Sequence, residues 1–297
     1  MTLRAIVVGS LVMDLSFLVP KRPEPGEVIV ATGFDTFRGG KGYNQAVALA
    51  RLGANVTLIG AVGDDAYGRQ FTVALESEGV DTTRMVTIPD VSTSIAIPMV
   101  TPDGDVAFIH APAANACLSE DAVDDLPDCS LLLIQGEVPV GTSIAAAREA
   151  RRSGALVMLN PAPARGVTPE LIDVCGIITP NEIEARSLIG NRIDSPVAAA
   201  QLLARGRRGA VITLGAQGAA WAIDGQAGHE LPPAIEAVDA TGASDSFCAA
   251  LAIALVEGQA PDEAVRFACA AGAAAVMVRG AEPGLPNRGA IERLLNR

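Results

Sequence analysis

Six short apolar runs, set apart by helical patterning, constrain this chain more than any other feature. The runs lie at 4–9, 56–59, 131–134, 156–159, 176–178 and 210–214. Runs with almost no polar residue suit strands covered on both faces. Helical periodicity fills the spaces between them, at 44–52, 67–77, 142–153, 182–189 and 197–205. Strands alternating with helices predict an α/β, doubly wound fold whose mainly parallel sheet is flanked by helices.

Two stretches, 11–37 and 92–110, break that rhythm, the second with a turn at Pro102-Asp103-Gly104. They read as strands without covering helices, and so predict a small antiparallel β-sheet projecting from the main body as a lid. Later strands near 219–223 and 230–231 give way to Ala-rich helical stretches at 243–257 and 261–278. No repeat or linker divides the chain, so residues 1–297 read as a single domain with the two lid segments inserted in it.

With 49% hydrophobic and 19% charged residues, the composition excludes a disordered or fibrous class. The formal charge of −12 opposes binding to a phosphate backbone, so no nucleic-acid partner is expected. Cys117, Cys129, Cys175, Cys248 and Cys269 form no CxxC pair, which argues against a disulfide framework. No leader pattern or run of membrane-spanning length occurs, and a cytoplasmic protein is the expectation.

Several familiar sites fail on spacing. Lys41 is followed by Gly42 and lacks the upstream glycine of a P-loop, and Gly9-Ser10-Leu11 is not a dinucleotide fingerprint. Two histidines, His110 and His229, make a His/Cys metal site improbable. Two glycine-rich segments remain, each leading into a helix. In Arg38-Gly39-Gly40-Lys41-Gly42-Tyr43-Asn44-Gln45, glycines let the backbone approach a ligand and Lys41 can donate to oxygens; a plain turn with a surface lysine fits as well. In Asp239-Ala240-Thr241-Gly242-Ala243-Ser244-Asp245, free N–H groups at a helix start could stabilise a transferring phosphoryl group. Asp245 read by itself fits helix capping as well as a proton-accepting base.

Seven segments in order carry a resemblance. They are Gly9-Ser10 through Asp14, Gly39-Gly40-Lys41-Gly42 with Asn44-Gln45, Val62-Gly63-Asp64-Asp65, and Asn160-Pro161-Ala162-Pro163-Ala164. Thr179-Pro180-Asn181-Glu182-Ile183-Glu184, Thr213-Leu214-Gly215 with Gly218, and Asp239 to Asp245 complete the series. Together they resemble the ribokinase-like (PfkB-type) carbohydrate kinases, nearest in motif to the ribokinases. The resemblance implies ATP-dependent phosphorylation of the primary hydroxyl of a small sugar, ribose or a related pentose such as 2-deoxyribose. It implies Asp245 as catalytic base and Gly242, Ala243 and Ser244 as an anion hole. Sugar would meet Asp14, Gly40, Lys41, Asn44, Glu137 and Asp245, and ATP would lie near Asn181, Thr213, Gly215 and Gly218. Asn181 and Glu184 would organise Mg²⁺ through water. Asp239, Thr241, Ala275, Val278 and Gly280 would hold a monovalent cation, giving K⁺ activation, although Asp239 also fits a turn-stabilising carboxylate. A homodimer through the lid sheets is a further implication.

Four positions depart from the family pattern: Ser244 replaces a glycine, Val12 an asparagine, Gly284 a serine and Cys269 a histidine. Serine preserves the anion hole if its backbone is helix-like. Val12 cannot hydrogen-bond a sugar hydroxyl, which makes a deoxy or rearranged sugar more plausible. Gly284 removes a hydroxyl from the cation site, and Cys269 reads as a small buried helix residue. The alternatives are a nucleoside or other sugar kinase of the same superfamily, or a weakly catalytic sugar-binding sensor.

Overall fold

We describe residues 3–190 and 195–296 in a computed structural model. The chain opens with strands Arg4–Val8 (β1), Val12–Leu18 (β2) and Gly33–Gly39 (β3), then helix Lys41–Arg51 (α1). Asn55–Ile59 (β4), Ala61–Gly63 (β5), Ala66–Ser77 (α2), Val86–Ile88 (β6), Ser94–Val100 (β7) and Val106–Ala111 (β8) follow. Next come Leu131–Gln135 (β9), Val140–Arg152 (α3), Leu156–Asn160 (β10), Pro169–Asp173 (α4), Ile177–Ile178 (β11), Glu182–Ile189 (α5) and Pro196–Leu203 (α6). Gly209–Thr213 (β12), Ala219–Ile223 (β13), Gln226–Glu230 (β14), Ala243–Val256 (α7), Pro261–Ala275 (α8), Ala281–Gly284 (α9) and Arg288–Leu295 (α10) close the chain.

An 8-stranded sheet runs in the order β14-β13-β12-β11-β10-β9-β1-β4. All its pairings are parallel except β12–β13 and β13–β14. Because strand side chains alternate between faces, the apolar runs feed two cores. Ala5, Val7, Leu131 and Leu133 join the helices α1, α7 and α8 on one side, while Ile6, Val8, Leu132 and Ile134 join α3 and α6 on the other. Full burial of a leucine stabilises by about 1.5–3 kcal/mol relative to exposure, so this two-sided pattern sets the strand register firmly.

The second sheet, ordered β3-β2-β7-β8, is mixed rather than wholly antiparallel. Its two outer pairings are antiparallel, but β2 and β7 run parallel, Val12 beside Ser94 and Leu18 beside Val100. The reason lies in where the two strands begin. β2 leaves the C-terminal end of β1, and β7 begins just after Thr93, which is pinned to the turn after β5. There Asp65 caps α2 through Gly68 N at 2.8 Å and accepts from Thr93 N and Oγ1, each at 2.7 Å. Both strands therefore start from one edge of the main sheet and run outward together. The expected strand at 230–231 is the end of β14, whose hairpin with β13 turns at Asp224 (φ 51°) and Gly225 (φ 79°).

Candidate active site

The residues singled out from the sequence converge on the C-terminal edge of the parallel strands. Ser10 follows β1, Glu137 follows β9, Asn160 ends β10, Asn181 follows β11 and Thr213 ends β12. In an open α/β sheet that edge is where ligands bind, because the chain must leave each strand in a loop there. α1 approaches the same edge unusually closely. A Cβ on Gly42 would lie 2.4 Å from Gly9 C, and one on Gly9 would lie 2.7 Å from Gly42 Cα. These two glycines therefore serve backbone-to-backbone packing. Their contact brings Lys41 and Asn44 to that edge of the sheet, with Gln45 fully buried behind them.

Asp14 and Glu137 form one acidic wall. Glu137 Oε2 accepts from the Ser10 hydroxyl and from Lys41 N, the latter at 3.0 Å. Asp14 is pushed up to about 7, first by burial and then by the charge of Glu137. Its carboxylate receives no hydrogen bond among the described residues. Lys41 faces opposing influences: burial would lower it, but the negative charges of Asp245, Glu137 and Glu184 override that and leave it above its ordinary value. One ammonium is thus within electrostatic reach of carboxylates from three separate parts of the chain.

Asp245 occupies the first turn of α7 but does not cap it, since no side chain caps this helix. Its oxygens turn inward to two amides: Asn44 Nδ2 donates to Oδ2 at 2.9 Å and Gln45 Nε2 to Oδ1 at 3.0 Å. Capping is therefore excluded as its role. Burial holds Asp245 above the usual carboxylate range, while Lys41 and the two amide donors pull it back down. Asn44 Oδ1 is buried without a donor, the position of an acceptor that a ligand hydroxyl would satisfy.

At the head of α7, Gly242 takes the left-handed conformation (φ 81°) that a residue with a Cβ would resist. Ser244 lies inside the helix and is not among the positive-φ residues, so replacement of glycine there introduces no backbone strain. Ala243 N contacts Ala240 O at a long 3.3 Å. The N–H groups of Gly242 and Ser244 have no main-chain acceptor among the described residues, leaving them free for an anion.

Asp239 knits the preceding turn to the loop before α9: it accepts from Thr241 N at 2.9 Å, Thr241 Oγ1 at 2.6 Å and Gly280 N at 2.8 Å. Burial raises Asp239, but these hydrogen bonds more than offset it and hold it low. The Ala275 and Val278 carbonyls converge on Gly284, where a Cβ would meet them at 2.8 and 3.4 Å. Carbonyl oxygens gathered beside an ionised carboxylate fit a hard cation, and the absence of a side chain at Gly284 keeps them close.

On the nucleotide side, Thr213 N donates to Pro180 O at 3.0 Å, and Asn181 bridges to Thr213. Leu214 N donates to Gly218 O at 2.8 Å, closing a small loop around Gly215. Asn181 and Glu184 form a reciprocal capping box on α5, with both hydrogen bonds at 2.8 Å. That box uses only Oε2 of Glu184. Burial raises its carboxyl, and the Asn181 N–H and Lys41 lower it. The remaining oxygen has no hydrogen-bond partner among the described residues and so fits a water-mediated Mg²⁺ contact, since Mg²⁺ usually keeps several of its waters. Among the described residues no cluster of three His, Cys, Asp or Glu side chains could hold a metal directly.

With this geometry in view, comparison with known proteins is decisive. A family model described as pfkB family carbohydrate kinase matches residues 2–288. The chain belongs to that family. It is therefore a carbohydrate kinase, a phosphotransferase. The ribokinase of Haemophilus influenzae is 37% identical over 290 residues, covering 95% of each chain. A deoxyribokinase of Salmonella typhi is 32% identical over 290 residues, again covering 95% of both. The structure of Arabidopsis thaliana ribokinase complexed with ribose and ATP superposes with a TM-score of 0.90 at 32% identity, covering 100% of each chain. The ribokinase-like fold read from the sequence is thus borne out.

Val12 is buried between Gly39 and Ser94 in the second sheet, and Cys269 is buried in α8 with Glu230 O 3.8 Å from its sulfur. Three site-supporting residues had no role assigned from the sequence. Asn115 brackets Leu11 through N at 3.1 Å and O at 2.9 Å, fixing the turn beneath Asp14. Gln45 was visible as part of a motif but not as a partner of Asp245. Glu282 clasps Arg38 in a two-pronged ion pair at 2.8 and 3.0 Å, tying the end of β3 to α9. No local sequence signal pointed to this last contact.

Proposed function

We propose that this protein transfers the γ-phosphoryl group of ATP to the primary hydroxyl of a pentose, ribose or 2-deoxyribose. The observation that carries the reading is the inward aim of Asp245 at the head of α7, where its two oxygens accept from Asn44 Nδ2 at 2.9 Å and Gln45 Nε2 at 3.0 Å beside the unpaired Asn44 Oδ1. A buried carboxylate held in this way next to free helix-start N–H groups suits proton removal from a hydroxyl that attacks a phosphoryl group. The named activities of the similar ribokinases and deoxyribokinase, and the ribose and ATP bound by the Arabidopsis protein, support the substrate class.

In this reading the sugar hydrogen-bonds Asp14, Asn44, the Gly40–Lys41 backbone and Glu137. Asp245 takes the proton of the attacking hydroxyl, with its oxygens already aimed by two amides. The Gly242, Ala243 and Ser244 N–H groups receive the charge shifting onto the phosphoryl oxygens. ATP lies along Asn181, Thr213, Gly215 and Gly218. Asn181 and Glu184 would hold Mg²⁺ through water, and the ion would supply neutralisation of phosphate charge. Asp239, Thr241, Ala275, Val278 and Gly280 would hold a monovalent cation, K⁺ foremost. The second sheet closes over the sugar as a lid inserted in one kinase domain and excludes water as a competing acceptor.

Phe34, Phe108 and Ile109 expose apolar surface on the edge strands of that sheet, consistent with a homodimer formed there. Five free cysteines fit the reducing cytoplasm. Neither nucleic acid nor membrane is a partner in this account; among the described residues no helix is long and apolar enough to cross a membrane.

An ADP-release screen with Mg²⁺ over pentoses, deoxy sugars, hexoses and nucleosides, with and without K⁺, tests the proposal. Turnover should be greatest with ribose or 2-deoxyribose, and NMR of the product should place phosphate on the primary hydroxyl. Preferred turnover of a hexose or a nucleoside would contradict it.

A further inference from the structure

Beneath Asp245 lie three buried amide side chains, Gln45, Gln135 and Asn160, which are 0%, 1% and 2% exposed. Their donors and acceptors are not interchangeable. Asn160 Nδ2 donates to Thr179 O at 2.9 Å, and a carbonyl can only accept. Asn160 Oδ1 must therefore face Gln45, whose Nε2 donates to it at 3.4 Å and to Asp245 Oδ1 at 3.0 Å. Gln45 Oε1 then points the other way and accepts from Gln135 Nε2 at 2.7 Å. One main-chain carbonyl after β11 thereby sets the polarity of the whole chain. Turning the Gln45 amide over would set its oxygen against two other acceptors, in a place where water cannot relieve the mismatch.

We infer that Gln45 is a positioning residue for phosphoryl transfer, its amide held by Asn160 and Gln135 so that one N–H fixes the orientation of Asp245 Oδ1 toward the acceptor hydroxyl. Asn44 serves the other oxygen, but as an exchangeable partner: it lies at the pocket and carries an unpaired acceptor of its own. Gln45 is sealed away from ligand, so its hydrogen bond persists whether or not sugar is bound. Such a bond restrains the carboxyl plane and favours its ionised form despite burial. The charged or titratable groups facing Asp245 are Lys41 from α1, Glu137 after β9 and Cys248 one turn further along α7. Cys248 is pushed up to about 12 by burial and is therefore neutral, which leaves Lys41 and Glu137 as opposing charges.

The inference rests on Asp245 being the base, and the test separates the two claims. Gln45→Met keeps bulk but removes the donor. It should lower kcat on the order of 10- to 100-fold, leave the sugar KM within about twofold, and move the acid limb of kcat upward by about one pH unit. The carboxyl carbon resonance of Asp245 in sugar-free protein, assigned by its loss in Asp245→Asn, should titrate at correspondingly higher pH. Gln135→Met removes only the group that holds Gln45 and should shift both readouts the same way by less, which carries the test if Gln45→Met fails to fold. A folded Gln45→Met protein with an unchanged acid limb and unchanged Asp245 titration would overturn the positioning role. Turnover surviving in Asp245→Asn would instead overturn the base assignment beneath it.

Discussion

Burial and the charge of Glu137 push the carboxyls of both Asp14 and Asp245 upward, yet their surroundings differ in kind. Asp245 is fully wired, with an amide donating to each oxygen and a lysine nearby. Asp14 has no donor among the described residues and a like charge, Glu137, beside it. A group that must receive a proton along a fixed direction benefits from being aimed before substrate arrives. A group that recognises a hydroxyl must keep its lone pairs open. In the proposed reaction the same residue type would serve as a preorganised base at Asp245 and as an unsatisfied receptor at Asp14.

The largest way to break this contrast is to strip the wired side. Asn44→Leu removes a donor from Asp245 and the unpaired acceptor offered to the ligand, two bonds of which one is to a charged group. A fall in kcat/KM on the order of 10²- to 10³-fold is expected from steady-state kinetics. A loss confined to KM would show that Asn44 serves recognition alone.

On the open wall, Asp14→Asn should act through binding, raising the sugar KM roughly 10- to 100-fold with a smaller change in kcat. The same substitution should stabilise the protein at alkaline pH. Asp14 titrates at about 7 when folded against an ordinary 3.8, so the folded state holds its proton more tightly than the unfolded chain. Stability favoured by that proton is complete below the ordinary value and lost as pH rises through the folded one. Thermal melts at pH 8 should show the Asn variant more stable, on the order of 1 kcal/mol given partial solvent screening, with the advantage gone in acid. For the wild type, kcat/KM should fall below about pH 7 as the free enzyme's Asp14 protonates. A flat profile there would remove Asp14 from sugar recognition.

The smallest effect expected is one of preference. Val12→Asn places a polar group beside Asp14 and should move the ribose to 2-deoxyribose ratio of kcat/KM toward ribose by about tenfold. An unchanged ratio would place discrimination elsewhere in the pocket.

Sequence reading reached the parallel sheet because β1, β9 and β10 are buried on both faces and show it as unbroken apolar runs. It marked the two segments that form the second sheet but expected that sheet to be wholly antiparallel. The parallel β2–β7 pairing depends on two distant segments leaving one sheet edge, a relation that local patterning does not encode. The Asp224-Gly225 turn, by contrast, was written locally and marks β14 as a hairpin partner. For the site, Asp245 alone was ambiguous between capping and catalysis; contacts spanning about two hundred residues remove the capping reading. Gln45 and Gln135 left no local signal, since a buried glutamine reads like a surface one until its partners are known.

The most direct test of the account is to place wild-type protein and Asp245→Asn side by side with ribose or 2-deoxyribose, ATP and Mg²⁺. Sugar binding would be followed by calorimetry, and phosphoryl transfer by ADP release on the same samples. Asn is isosteric and keeps the turn at the head of α7, but it cannot take the hydroxyl proton. Binding should stay within about tenfold while turnover falls on the order of 10³-fold. Turnover within a few-fold of wild type, with binding intact, would contradict the assignment of Asp245 as the base.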